Sequence, residues 1–173
     1  MYQTIMRIGK KLMSEAKLFK TAFNLSPMYR RSTGRLTYVS EDLLKIKIKI
    51  PLSYKNSNYV GTIFGGSLYS ATDPIYMVQL INILGNDYVV WDKSSEIKYK
   101  RPAKKIAFAT FEFTKQEIEN IKERVRTENE FDLVKDLVIT GPNNEVYCEL
   151  QKVLYIADKG FYKKKQKKKT QER

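Results

Sequence analysis

Between Ser67 and Leu84 the chain carries one charged side chain, Asp73, and from Ile75 to Leu84 only Gln79 and Asn82 are strongly polar. A helix that is apolar nearly all round has to be enclosed by other elements. The pattern therefore predicts one long buried helix over Ser67–Leu84, stopped by Gly85. Gly65 and Gly66 stand just before it. A glycine pair there lets another backbone or a ligand come close, and the first-turn N–H groups it exposes favour negative charge. Pro74 lacks an N–H, so the carbonyl of Ser70 loses its helical partner and a kink is expected beside Asp73.

The flanking sequence reads mostly as strands. Ile5, Ile8, Leu12, Ala16, Phe19 and Phe23 recur at helical spacing among lysines and arginines, which predicts a basic amphipathic helix over residues 1–26, ended by Ser26-Pro27. Such a helix either packs on the domain with a solvated lysine face or makes a peripheral membrane contact, as a transit-like segment also would. Gly34 to Val39 predicts a strand, and Leu44 to Ile50 alternates strictly between lysine and apolar residues, one face to the core and one to water. Asp87–Trp91, Ser95–Lys100 and Ile106–Phe113 are further strand segments, and Phe131–Thr140 and Glu145–Ile156 form a hairpin across Gly141-Pro142-Asn143-Asn144. Thr114 with Glu117 is a capping box that opens a short surface helix. The fold class expected is α+β: a central buried helix wrapped by a mostly antiparallel sheet of five to six strands, in one domain over residues 27–159. The lysine-rich residues 160–173 are expected to be disordered.

Composition removes several chemistries. The 173 residues contain no histidine, which excludes Ser-His-Asp and Cys-His catalysis and histidine metal sites. No metal site and no cofactor are expected. The one cysteine, Cys148, forms no internal disulfide, and with no signal-peptide pattern it favours a cytoplasmic setting. No uncharged apolar run reaches the roughly 18 residues of a membrane span. The net charge of +13 divides as +8 over residues 1–50, −1 over 51–159 and +6 over 160–173. The central domain is neutral, so no specific nucleic-acid groove is expected.

The run Asn58-Tyr59-Val60-Gly61-Thr62-Ile63-Phe64-Gly65-Gly66 resembles the hotdog-fold thioesterases of the phenylacetyl-CoA type. That group carries Asn-x-x-Gly-x-x-His-Gly-Gly and then an acidic residue. Asn58, Gly61, Gly65, Gly66 and Asp73 fall at those spacings, and Phe64 stands where the group has histidine. The strand Ser95–Lys100 with Arg101-Pro102-Ala103 is similar too, and the variant with Asp73-Pro74 and Trp91-Asp92-Lys93 looks like a bacterial subgroup of thioesterase-like hotdog domains. The resemblance spans about residues 30 to 157. It implies a hotdog fold, a homodimer or a tetramer of dimers with joined sheets, and an acyl-CoA or acyl-carrier-protein thioester entering at the subunit boundary. It also gives Asp73 the role of base or nucleophile, and the N–H of Gly65 or Gly66 that of polarising the thioester carbonyl.

Residue chemistry fits these roles and leaves others open. N–H donors fixed at a helix start stabilise the oxyanion formed when a thioester is attacked. Asp73 can activate water, and Asn58 can orient it; Asp73 can equally serve a structural ion pair, and Asn58 a loop. Gly65 and Gly66 suit close packing as well as an oxyanion. Phe64 fills an acyl pocket, or it marks a domain that binds acyl groups without hydrolysing them. Lys100, Arg101, Lys104 and Lys105 either meet CoA phosphates or form a solvated basic turn. Trp91, Asp92, Lys93 and Ser94 line the pocket mouth from the neighbouring subunit, or Trp91 belongs to the core.

Overall fold

The computed structural model describes residues 14–171. Six strands form one antiparallel sheet: β1 (Arg35–Val39), β2 (Lys45–Ile50), β3 (Tyr88–Tyr99), β4 (Ala107–Glu112), β5 (Glu130–Thr140) and β6 (Val146–Asp158), in the spatial order β1-β2-β4-β5-β6-β3. The Lys-Ile alternation of β2 puts Ile46, Ile48 and Ile50 in the core and the lysines outside. β3 is one long strand with a bulge between Asp92 and Ser94, and it is an outer strand of the sheet.

Against the sheet lies the apolar run, and here the expectation of a single helix is corrected. The run forms two helices, preceded in the chain by α1 (Glu15–Leu25) and α2 (Pro27–Arg31); they are α3 (Gly65–Thr72) and α4 (Ile75–Leu84), parted at Asp73-Pro74. Proline has no N–H to continue the ladder, so α3 ends with the Asp73 N–H donating to the Tyr69 carbonyl, and α4 starts afresh. Leu68, Ala71, Ile75, Tyr76, Leu80 and Leu84 are buried, and the Tyr76 ring meets Phe111 and Phe113 edge-on at 4.9 and 5.4 Å. Gly85, at φ 82°, takes the left-handed turn that ends α4.

Of the expected N-terminal helix, residues 1–13 lie outside the described residues. Its described part, α1, starts at the Ser14 cap and buries Ala16, Leu18 and Phe19. The Asn24 side chain bonds both the N–H and the carbonyl of Leu36, which fastens α1 to β1. Pro27 occupies the first turn of α2, where a missing N–H costs nothing. The surface helix α5 (Lys115–Glu128) carries the expected capping box.

The lysine tail departs from expectation: residues 159–171 form a helix, α6 (Lys159–Gln171), instead of a disordered segment. Asp158 accepts from the Phe161 N–H, Tyr162 packs near Tyr155, and Lys165 lies 2.6 Å from Glu130. These contacts fix one side of a segment that, judged by its like charges alone, has nothing to hold it. No α6 residue is buried. Among the described residues no helix is long and apolar enough to cross a membrane.

Candidate functional site

The loop before α3 is held by Asn58. Its side-chain oxygen accepts from the N–H groups of Val60 and Thr62 at 3.1 and 3.0 Å, and its NH2 donates to Thr62 Oγ1 at 2.8 Å. Gly61, at φ 73°, supplies the left-handed residue of this turn. The Ile63 N–H then donates to the Ala103 carbonyl, which joins the loop to the turn after β3. Asn58 is thus occupied within its own loop.

Between loop and turn lies an open groove of about 370 Å³ that brings together Asn58, Gly65, Lys100 and Arg101 with Tyr99 and Leu68. At the start of α3 the Phe64 carbonyl accepts from Ser67 and Leu68, while the N–H groups of Gly65 and Gly66 have no acceptor among the described residues. Both glycines lie against aromatic rings: a Cβ on Gly65 would be 2.9 Å from the Tyr99 ring, and one on Gly66 would strike Phe64. Packing and two bare donors therefore coexist at this helix start. Phe64 is 58 % exposed, its ring over Gly66. Lys100 pairs with Glu149 at 2.9 Å, while Arg101 makes no ion pair among the described residues.

Asp73 belongs to a second cluster. Eight residues along a helix separate it from Gly65, about 12 Å. Its Oδ1 and its backbone carbonyl both accept from Lys152 Nζ, at 2.8 and 2.7 Å. The same ammonium lies 2.9 Å from Asp92 Oδ1, as an ion pair. The Lys152 side chain is fully buried, Asp92 is 23 % exposed and Asp73 is 41 % exposed. Burial pushes the Asp92 carboxyl above the ordinary carboxylate range, against the pull of Lys152, and the nearby Asp73 adds to the rise. One ammonium thus serves two carboxylates beneath the helix break, and Asp73 Oδ2 keeps no hydrogen bond among the described residues.

The structure does not gather the remaining sequence-derived candidates here. Trp91 pairs with Tyr155 and Ser94 with Val153, whereas Asp92 pairs with the fully buried Leu154. Strand alternation thus puts Trp91 and Ser94 on the sheet face away from α3 and α4, and Trp91, 54 % exposed, is not core. Lys104 is exposed on the turn but does not line the groove. Two residues escaped the sequence reading. Tyr99 forms a groove wall, and Lys152 is the centre of the carboxylate cluster. For Lys152 a signal existed: it stands in the inward register Cys148, Leu150, Lys152, Leu154, Ile156, the one charge on a buried strand face. Cys148 itself is buried, and burial pushes its thiol up to about 11.

A family model described as Domain of unknown function (DUF4442) matches residues 15–156. The chain belongs to this family. No curated protein sequence matches it. Among solved structures, the DUF4442 chain is similar to a Pseudomonas aeruginosa protein of unknown function described as a probable thioesterase, with a TM-score of 0.73 and 15 % identity over 82 % of this chain and 95 % of the other. A protein of unknown function from Chlorobaculum tepidum gives 0.65 and 19 % identity over 82 % and 93 % of the two chains. A thioesterase from Haemophilus influenzae gives 0.61 and 13 % identity over 86 % and 94 %. At these identities the likeness shows the fold, which is the hotdog fold.

Proposed function

We propose that this DUF4442 protein hydrolyses acyl thioesters, carried on CoA or on an acyl carrier protein, at a site completed by a second copy of the chain. The observation that carries this reading is the pair of bare N–H groups at Gly65 and Gly66, opening α3 beside a groove flanked by cationic Lys100 and Arg101. In the reaction, water adds to the thioester carbonyl, its oxygen becomes an oxyanion, and the C–S bond then breaks to give acid and thiol. The helix-start donors meet the oxyanion, and Asp73 takes the proton of the attacking water. Arg101 faces the phosphates of the carrier arm.

Gly65 and Asp73 of one chain are too far apart to act on one carbonyl, since each must lie within hydrogen-bond reach of the reacting atoms. A second copy supplies the missing partner. The outer strand β3 supports this: it is 12 residues long, has β6 as its only partner among the described residues, and so offers a row of unpaired backbone groups to another β3. The role of Lys152 is to hold Asp73 at the break, which makes it a positioning residue.

A second reading, an acyl-binding domain without turnover, is favoured by Phe64 at the position where the phenylacetyl-CoA type of thioesterase carries histidine and by the occupied Asn58 amide. Turnover on a panel of acyl-CoAs, with Asp73→Asn alongside, decides between them. Hydrolysis by the parent and its loss in the variant, with binding retained, supports the first. A variant that works at the parental rate removes Asp73 from the mechanism, and an inert parent that still binds acyl-CoA leaves the second.

A further inference from the structure

The groove beside α3 holds a polar group that the proposed reaction does not use, the Tyr99 hydroxyl. Tyr99 ends β3 in the inward register: it pairs with buried Cys148 as Ile97 pairs with Leu150, so its side chain stands on the sheet face that carries α3. Just beyond it the Lys100 and Arg101 N–H groups both donate to the Tyr147 carbonyl, at 2.8 and 3.2 Å, which fixes the backbone there. The ring reaches the start of α3 because Gly65 has no side chain. A Cβ on Gly65 would lie 2.9 Å from Cε1, Cζ and Oη of Tyr99, the hydroxyl end of the ring.

That contact sets the hydroxyl against the first bare N–H. A Cβ position is about 2.5 Å from its own backbone nitrogen, so Tyr99 Oη and the Gly65 nitrogen are at most about 5.4 Å apart. One oxygen that accepts from a hydroxyl and an amide at ordinary lengths spans up to about 5.7 Å. In a helix the Cβ leans toward the N-terminus, the direction in which the first-turn N–H groups also point, so hydroxyl and amide open on the same side. Other side chains of the groove are already engaged: Asn58 within its loop and Lys100 with Glu149. Phe64, the ring against Gly66, brings no donor. The Tyr99 hydroxyl has no hydrogen-bond partner among the described residues. Partial burial raises its pKa above the ordinary tyrosine value, so it keeps its proton at neutral pH and acts as a donor.

We propose that the Tyr99 hydroxyl donates, together with the Gly65 N–H, to the carbonyl oxygen of the bound thioester and more strongly to the oxyanion formed when water adds. The hydroxyl keeps its proton throughout, and its contribution is the stronger hydrogen bond to the charged oxygen. Its action on an oxyanion rests on the hydrolase reading; its hydrogen bond to a bound carbonyl does not.

The test uses the full chain and Tyr99→Phe, which keeps the ring on Gly65 and removes the hydroxyl alone. On an acyl-CoA that the parent hydrolyses, kcat should fall about 10–100-fold with KM within about twofold, the split of an interaction made in the transition state. The second readout needs no turnover: the infrared carbonyl band of a bound ketone analogue of acyl-CoA, isotope-labelled at the carbonyl and with CH2 in place of the sulfur. Loss of the hydrogen bond should move that band to higher wavenumber in Tyr99→Phe. A parental rate in the variant, or a band that stays where the parent has it, overturns the proposal. An unmoved band is the result if the hydroxyl serves only packing against a second copy, and with an active parent it leaves the hydrolase reading standing. An inert parent whose band still moves on loss of the hydroxyl keeps Tyr99 as a donor to the carbonyl and removes the hydrolase reading alone.

Discussion

Replacing Lys152 by Met keeps an unbranched side chain of similar length, so little volume is lost from the core, and the perturbation is mainly electrostatic. The ammonium it removes is fully buried and lies within 2.9 Å of two carboxylates and one backbone carbonyl. Asp92, 23 % exposed, is left without a counter-charge. Removing one partner of a buried pair costs about 3–5 kcal/mol, because the other charge remains buried and uncompensated. The sign with pH follows from the Asp92 shift. Its carboxyl is already raised by burial, and losing Lys152 takes away the pull that opposes the rise. The folded variant then holds a proton that the unfolded chain, with an ordinary carboxylate near 3.8, has released. Stability falls with rising pH wherever the folded state binds more protons. Urea unfolding at pH 5 and pH 7.5 should therefore show Lys152→Met losing more relative to the parent at the higher pH. Adding Asp92→Asn should recover a large part of the loss, as a double-mutant cycle measures. A variant within about 1 kcal/mol of the parent at pH 7.5, or a deficit independent of pH, refutes the assignment of Lys152 as the ammonium that neutralises this cluster.

Gly65→Pro is expected to remove one N–H from the helix start while suiting the first helical position, since Phe64 before it already has extended backbone; turnover should fall about 10²–10³-fold, while Gly65→Ala, which presses on Tyr99 equally but keeps the N–H, should lose far less, and equal losses in steady-state assays would deny the donor role. Lys165→Met should lower stability by less than about 1 kcal/mol, a partly exposed surface pair being worth little, and the effect should shrink in high salt. Lys165 and the Tyr155 hydroxyl hold the Glu130 carboxyl below its ordinary value, so this contribution is present above about pH 4.5 and is lost as pH falls through the lowered value; a deficit of Lys165→Met that persists in thermal melts at pH 2 would contradict it.

The sheet was legible because its strands announce their faces. The Lys-Ile alternation of β2, the apolar face of β4 and the turn between β5 and β6 each fix a register by pattern alone, and the capping box marks α5 to the residue. The apolar run misled in one respect: hydrophobicity says that a segment is buried, not that it is continuous, and Pro74 divided it. The helical tail was missed because composition registers like-charge repulsion but not a partner such as Glu130, 35 residues away. Of the candidate site, Asn58, Gly65, Lys100 and Arg101 meet in one groove because they belong to a loop and a turn tied by a single backbone bond, from Ile63 to Ala103. Alternation turns Trp91 and Ser94 away from the groove of their own chain, and the bulge at Lys93 was not readable from residue types. Lys152 is found by pairing the strand pattern of β6 with the rule that a buried charge needs a partner.

The central claim, that Gly65 of one copy and Asp73 of another serve one thioester, is tested most directly by subunit complementation. Gly65→Pro and Asp73→Asn chains, each inactive alone, are unfolded together, refolded as a mixture and assayed on acyl-CoA. Random pairing makes half the dimers mixed, and each mixed dimer carries one site with both groups intact, so the account predicts about a quarter of parental activity. A mixture no more active than the two variants assayed separately contradicts it.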